Sequence, residues 1–212
     1  MGGAQHPAPG SRPHTNVFGA GAQCATALKE WATVLEAMAR GEQLVLIRKG
    51  GLIEPGSGFE MVADRFVFYP TFEHQAVQYL RPEFQPYFAA ASSRRAPPDQ
   101  LRVELAGVVV ASTRTMDPGI VEQLAPYHIY NDAFLHQRLK WQPEQPLVVA
   151  VVRAFRLAQP RLLPVAPAYA GCKSWVELDA PVALDAVSPA LDDRAFEQRL
   201  AALLPLLEQG RV

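Results

Sequence analysis

Arg48 and Lys49 close a short apolar run and are followed at once by Gly50 and Gly51. Arginine and lysine supply charge, and two residues without side chains let backbone amides come close, so the quartet suits a phosphate or carboxylate. The alternative use of such a sequence is a plain tight turn with its charges in water. A second polar cluster, Pro70-Thr71-Phe72-Glu73-His74-Gln75, follows a second apolar run. Gln75 pairs a donor with an acceptor and His74 titrates near neutrality, so the two could read a base edge or an amide. Equally, they could satisfy backbone groups at a helix start.

Three further candidates come from distant stretches. Arg153 sits among Val151, Val152 and Phe155 and needs a partner, either a ligand or an acid such as Glu104 or Glu177. Arg156 is three residues on and points to the other face of the same strand. Trp175, beside Lys173, offers a surface for stacking on a planar base, or a core side chain. Glu54, Glu73, His74 and His128 are the donors a metal-dependent phosphodiesterase or small hydrolase would draw on, although nothing in their spacing requires a metal. Metal-dependent nuclease chemistry of the Mrr type needs an acid at one strand end and a Glu-x-Lys pair on the next, and neither Glu177 with Asp179 nor Glu54 with Glu60 supplies it. Cys172 lacks a histidine at informative spacing. No cofactor is required.

The elements that must position these groups follow from periodicity and punctuation. Leu28, Trp31, Leu35 and Met38 recur at spacings of three and four, predicting a half-buried helix over 25–40 that Gly41 stops. Leu44 to Ile47 predicts a buried strand, with Phe66 to Tyr69 as its partner. Thr71 is placed to cap a short helix from Phe72, and 89–99 predicts a surface loop. Leu101 to Thr115 predicts one long strand or two bent near Gly107, Asp117-Pro118 starts a helix, and Asn131 starts another to about Lys140. Leu147 to Leu157 is the strongest strand, with prolines 160–167 after it. Ser174 to Leu178 is the last strand, and Phe196, Leu200, Leu203 and Leu207 mark a terminal helix that Pro205 should kink or shorten. This order, without regular βαβ alternation, predicts an α+β fold.

With 212 residues, 49% of them hydrophobic, the chain can bury a substantial core. We expect a loose tail over 1–23, one α+β domain over 24–190 and a C-terminal helix over 191–212 packed on it. The net charge of −1 leaves no global basic field, so any anion site must be local. Two cysteines, without CxxC spacing, predict neither a disulfide framework nor a zinc site. There is no signal-peptide pattern and no apolar stretch approaching 18 residues, so a cytoplasmic protein that does not enter a membrane is expected. Oligomeric state is not legible.

Two resemblances rest on these residues. Arg48-Lys49-Gly50-Gly51, Pro70-Thr71 with His74-Gln75, and Tyr169 with Gly171-Cys172-Lys173-Ser174-Trp175-Val176 resemble an uncharacterised bacterial family of unknown function. Some of its members are linked to Mrr-type restriction endonuclease domains, which implies such an enzyme as partner and a restriction or defence setting. The order of elements is also similar to PUA-like and ASCH domains, small β-barrels that bind RNA or read modified bases in a cleft. That likeness implies a mixed, mainly antiparallel sheet or small barrel with flanking helices. The chain departs from it in the insertion between Met116 and Trp141, and in carrying Arg40-Gly41-Glu42 where such domains have a GxK-type loop. Together these readings predict DNA or RNA binding through Arg48, Lys49, Gly50, Gly51, His74, Gln75, Arg153, Lys173 and Trp175.

Overall fold

Long alternating and continuous apolar runs make β4 (Gln100–Thr115) and β5 (Leu147–Pro164) the antiparallel spine of the protein, in register from Gln100↔Pro164 to Thr115↔Leu147. The structure is a computed structural model and describes residues 17–49 and 59–210. The other strands are β1 (Gln23–Trp31), β2 (Val45–Arg48), β3 (Arg65–Thr71), β6 (Trp175–Ala183) and β7 (Val187–Pro189). Five α-helices accompany them: α1 (Ala32–Ala39), α2 (Gln85–Ser93), α3 (Pro118–Gln123), α4 (Asp132–Lys140) and α5 (Asp193–Gln209). Among the described residues the seven strands form one open sheet of order β2-β5-β4-β3-β1-β6, with β7 added to β5. Only β1 with β3 is parallel, so the fold is α+β with a mixed, mainly antiparallel sheet.

Each face of the sheet buries its own core. Leu28, Phe66, Phe68, Val149 and Val151 pack with α1, α4 and α5 on one side. Ala27, Val67, Ala106, Phe155 and Val176 pack with Phe18 and Leu184 on the other. Gly107 lies where β3 and β5 press hardest: a Cβ there would come within 2.9 Å of Phe66 and of Val152. β4 therefore runs unbroken through Gly107, which serves close approach and not a break between strands.

Several local expectations hold. Asp117 caps α3 through Gly119 N at 2.8 Å and Asn131 caps α4 through Phe134 N at 3.1 Å, while Asp192, not singled out as a cap by the sequence, caps α5 through Ala195 N at 2.9 Å. Gly41, at φ +73, ends α1, and Phe196, Leu200, Leu203 and Leu207 form the buried stripe of α5. That helix continues through Pro205 to Gln209.

Other expectations are corrected. The helix predicted over 25–40 is β1 as far as Trp31, because pairing on both sides, with β3 and β6, overrides a helical spacing. β2 pairs with β5, and the partners of β3 are β1 and β4. No helix starts at Phe72. The chain bends at His74, with φ 62, and the helix forms later, over Gln85–Ser93. β5 passes its prolines because Val103↔Arg161 and Leu105↔Arg156 leave four β5 residues opposite one of β4, a bulge in which Pro160 owes the ladder no N–H.

The open ends of the sheet are joined by a side chain. Arg48, last in β2, donates to Lys29 O at 3.2 Å and to the Glu30 carboxylate at 3.0 Å on β1, and to Ser174 Oγ at 2.9 Å just before β6.

Candidate nucleic-acid interface

The registers open a cleft. β3 pairs with β4 only from Arg65↔Val108 to Val67↔Ala106. Past that point Phe68 to Thr71 stay with β1, and Leu105 back to Gln100 stay with β5, so the sheet forks. The space within the fork, about 630 Å³, is bordered by α1, the end of α2 and the loop after it, and residues 165–171.

Cations outnumber acids in its lining: Lys29, Arg94, Arg95, Arg102 and Arg156 against Glu73 and Glu104. Lys29 and Tyr69 are register partners on neighbouring strands, which puts the ammonium 5.4 Å above the phenol ring. Lys29 Nζ donates to Gly171 O at 3.0 Å and to Tyr169 O, fixing the loop that forms one lip. Burial lowers its pKa, with Glu73 opposing. Burial raises that of the Tyr69 phenol, helped by Tyr169 and Glu73.

The arginines differ in how far they are engaged. Arg94 pairs with Glu36, a carboxylate also held by Arg40, and Arg102 Nε pairs with Glu104 at 2.9 Å. Arg156 donates to the carbonyls of Ala39 and Ala190, tying α1 to the end of β7. Arg95 lies 4.9 Å over the Phe72 ring. Among the described residues neither Arg95 nor Arg156 forms an ion pair.

The sequence-predicted residues fall elsewhere. Arg48 has Phe59 beneath it at 5.1 Å, and Trp175 stacks on the same ring at 6.2 Å while donating Nε1 to Glu60 O at 2.9 Å. These two do meet, as part of the seam that joins the sheet's ends. Lys49 is buried and donates to Arg138 O and Leu139 O, both at 3.1 Å, capping the C-terminal end of α4. Gln75 Oε1 accepts from Thr33 N at 3.3 Å and Thr33 Oγ1 at 3.0 Å, capping α1 from across the chain. Arg153 is buried under α5, paired with Asp193 and set against the rings of Phe155 and Phe196, with Nε and Nη1 unpartnered. Its acid is thus neither Glu104 nor Glu177. His74 is exposed on the bend, and exposed Lys173 donates to Ala168 O at 3.3 Å. Gly50 and Gly51 lie outside the described residues.

A single hollow shared by Arg48, His74, Gln75, Arg153 and Trp175 is therefore replaced by the fork. Four of the predicted residues, Arg48, Lys49, Gln75 and Arg153, serve helix ends and buried pairs, which are the other places where a polar group inside an apolar segment finds company. The cleft cations carried weaker signals. Lys29 looks like the wet side of a helix, Arg94-Arg95 like loop charge, and Arg156 like the spare partner of Arg153.

The metal-site alternative also separates. Glu54 is outside the described residues, while Glu73 and His74 are exposed. His128 is fully buried, accepts from Tyr130 N at 3.1 Å through Nδ1, and has its pKa pushed down to about 4 by burial and then by Arg81. Among the described residues no group of three or more His, Cys, Asp or Glu could hold a metal ion, and no helix is long and apolar enough to cross a membrane. Cys24 and Cys172 are free thiols, Cys24 with its pKa raised by burial.

A mixed, mainly antiparallel sheet with an arginine-lined cleft at its fork defines an α+β architecture. The chain belongs to the DUF1802 family, a domain of unknown function, whose sequence pattern matches residues 27–202. No curated protein matches the sequence. Similar solved structures include the ASCH protein of Zymomonas mobilis, at 9% identity and TM-score 0.38, covering 83% of this chain and 93% of that one. A serine-to-alanine variant of that protein is similar at 10% identity and TM-score 0.39, covering 84% and 94%. A tyrosine-to-phenylalanine variant gives 9% identity and TM-score 0.37, covering 83% and 96%. Likeness at this distance transfers no site residue.

Proposed function

We propose that this protein binds nucleic acid in the forked cleft, holding phosphates with Lys29, Arg95, Arg102 and Arg156. The supporting observation is the concentration of charge: five cations against two carboxylates around one cleft of a chain whose net charge is −1. Guanidinium groups suit phosphate because their donors are paired and planar, and a concave cationic wall raises the local field. A restriction or defence setting with an Mrr-type endonuclease as partner belongs to this proposal on the motif resemblance alone, and co-purification from the native host tests it.

Fluorescence anisotropy with labelled single-stranded DNA and RNA over a salt series tests the binding. Each phosphate contact contributes a slope of about −0.7 in log affinity against log salt for single strands. Arg95→Ala with Arg102→Ala should make the slope shallower by about 1.4, whereas Arg194→Ala, at an exposed position of α5, should leave it unchanged. Binding that is absent, or insensitive to salt, refutes the proposal.

A further inference from the structure

Resting on that nucleic-acid reading, we infer that the fork takes one unpaired base between the parted strands, which makes the protein selective for unpaired over duplex nucleic acid. The two walls are unusual in kind. From Phe68 to Thr71 the backbone is paired on its β1 side only, and from Gln100 to Leu105 on its β5 side only. Each wall therefore turns toward the cleft an edge of main chain whose C=O groups and, Pro70 apart, N–H groups meet no neighbouring strand. Such an edge needs a ligand rich in donors and acceptors.

A phosphate supplies acceptors alone and cannot satisfy the carbonyls. The edge of a nucleobase carries both donors and acceptors in one plane, the complement of a strand edge. In a duplex those groups are engaged with the opposite strand or reachable only through a groove. The base can enter a cavity of about 630 Å³ only by leaving the stack. The space is within the range of about 300–1,000 Å³ typical of small-ligand sites.

The aromatic groups are arranged to help. Tyr69 and Tyr169 meet edge to face at 6.3 Å on one wall, and the Tyr169 hydroxyl is pinned by Asp179 N at 2.7 Å. Arg95 also lies over Phe72, its guanidinium carbon 4.9 Å from the ring centre, a platform for the neighbouring base, with other cations in the cleft for the flanking phosphates.

The test holds phosphate number constant and removes bases. A labelled nine-nucleotide single strand is compared, as DNA and as RNA, with the same backbone made wholly abasic and with its duplex, at two salt concentrations. The expected result is affinity at least tenfold weaker for the abasic strand and for the duplex, with similar salt slopes for the two single strands, whose phosphate number is the same. Tyr69→Ala, its fold checked by thermal melting, should narrow the difference between parent and abasic strands. Equal affinity for parent and abasic strands, with salt sensitivity kept, overturns the base-insertion inference and leaves phosphate binding standing. Absence of salt-sensitive binding by any of the three overturns both.

Discussion

Replacing Arg48 with methionine separates a structural seam from a phosphate contact. The substitution keeps an unbranched apolar stem but removes the donors to Glu30, Lys29 O and Ser174. Glu30 is 5% exposed and Arg48 20%, so a carboxylate would be left buried without its cation. Breaking a buried pair costs about 3–5 kcal/mol. Because one partner keeps some contact with water, we expect a smaller loss than that, about 2–3 kcal/mol. In a domain of this size that lowers Tm by roughly 4–12 °C. Urea unfolding followed by tryptophan fluorescence suits the measurement, since Trp175 shares the Phe59 ring with Arg48. The double variant Arg48→Met with Glu30→Gln should recover more than half of the loss, as both charges are then gone. Nucleic-acid affinity per folded molecule should not change. A loss below about 1 kcal/mol, or a double variant no more stable than the single one, would refute the seam.

Two further outcomes are expected. His128 is neutral when folded, with a pKa of about 4 against 6.5 when unfolded, so the unfolded chain takes up the extra proton and stability is complete only above pH 6.5. It should fall by up to about 3 kcal/mol as pH drops through that window, and His128→Leu should flatten the slope measured by urea titration at successive pH values. Gly107→Ala would press a methyl against Phe66 and Val152 at 2.9 Å, costing about 1–3 kcal/mol in equilibrium unfolding. A neutral effect would mean that these side chains give way.

What could be read from the sequence was local. Asp117 and Asn131 announce their helices because a cap acts within three residues, and the stripe on α5 is a matter of period alone. β1 was hidden because Leu28 to Met38 spans the junction of a strand and a helix whose apolar residues happen to continue one spacing. The fork could not be read at all, since it depends on where two ladders stop. The motifs misled for a related reason: the cations of Arg48, Lys49 and Arg153 are each matched by a carbonyl or carboxylate brought from 18 to 89 residues away.

The position of β1 bears on how the molecule is made. It lies between β3 and β6, so one flank is covered once residue 71 has been synthesised and the other only after residues 175–183. Until residues 175–183 have been made this strand has an open side, and the sheet cannot settle on the ribosome in stages. Its final shape waits for a long-range closure, which favours slow acquisition of structure and gives chaperones an extended interval in which to act.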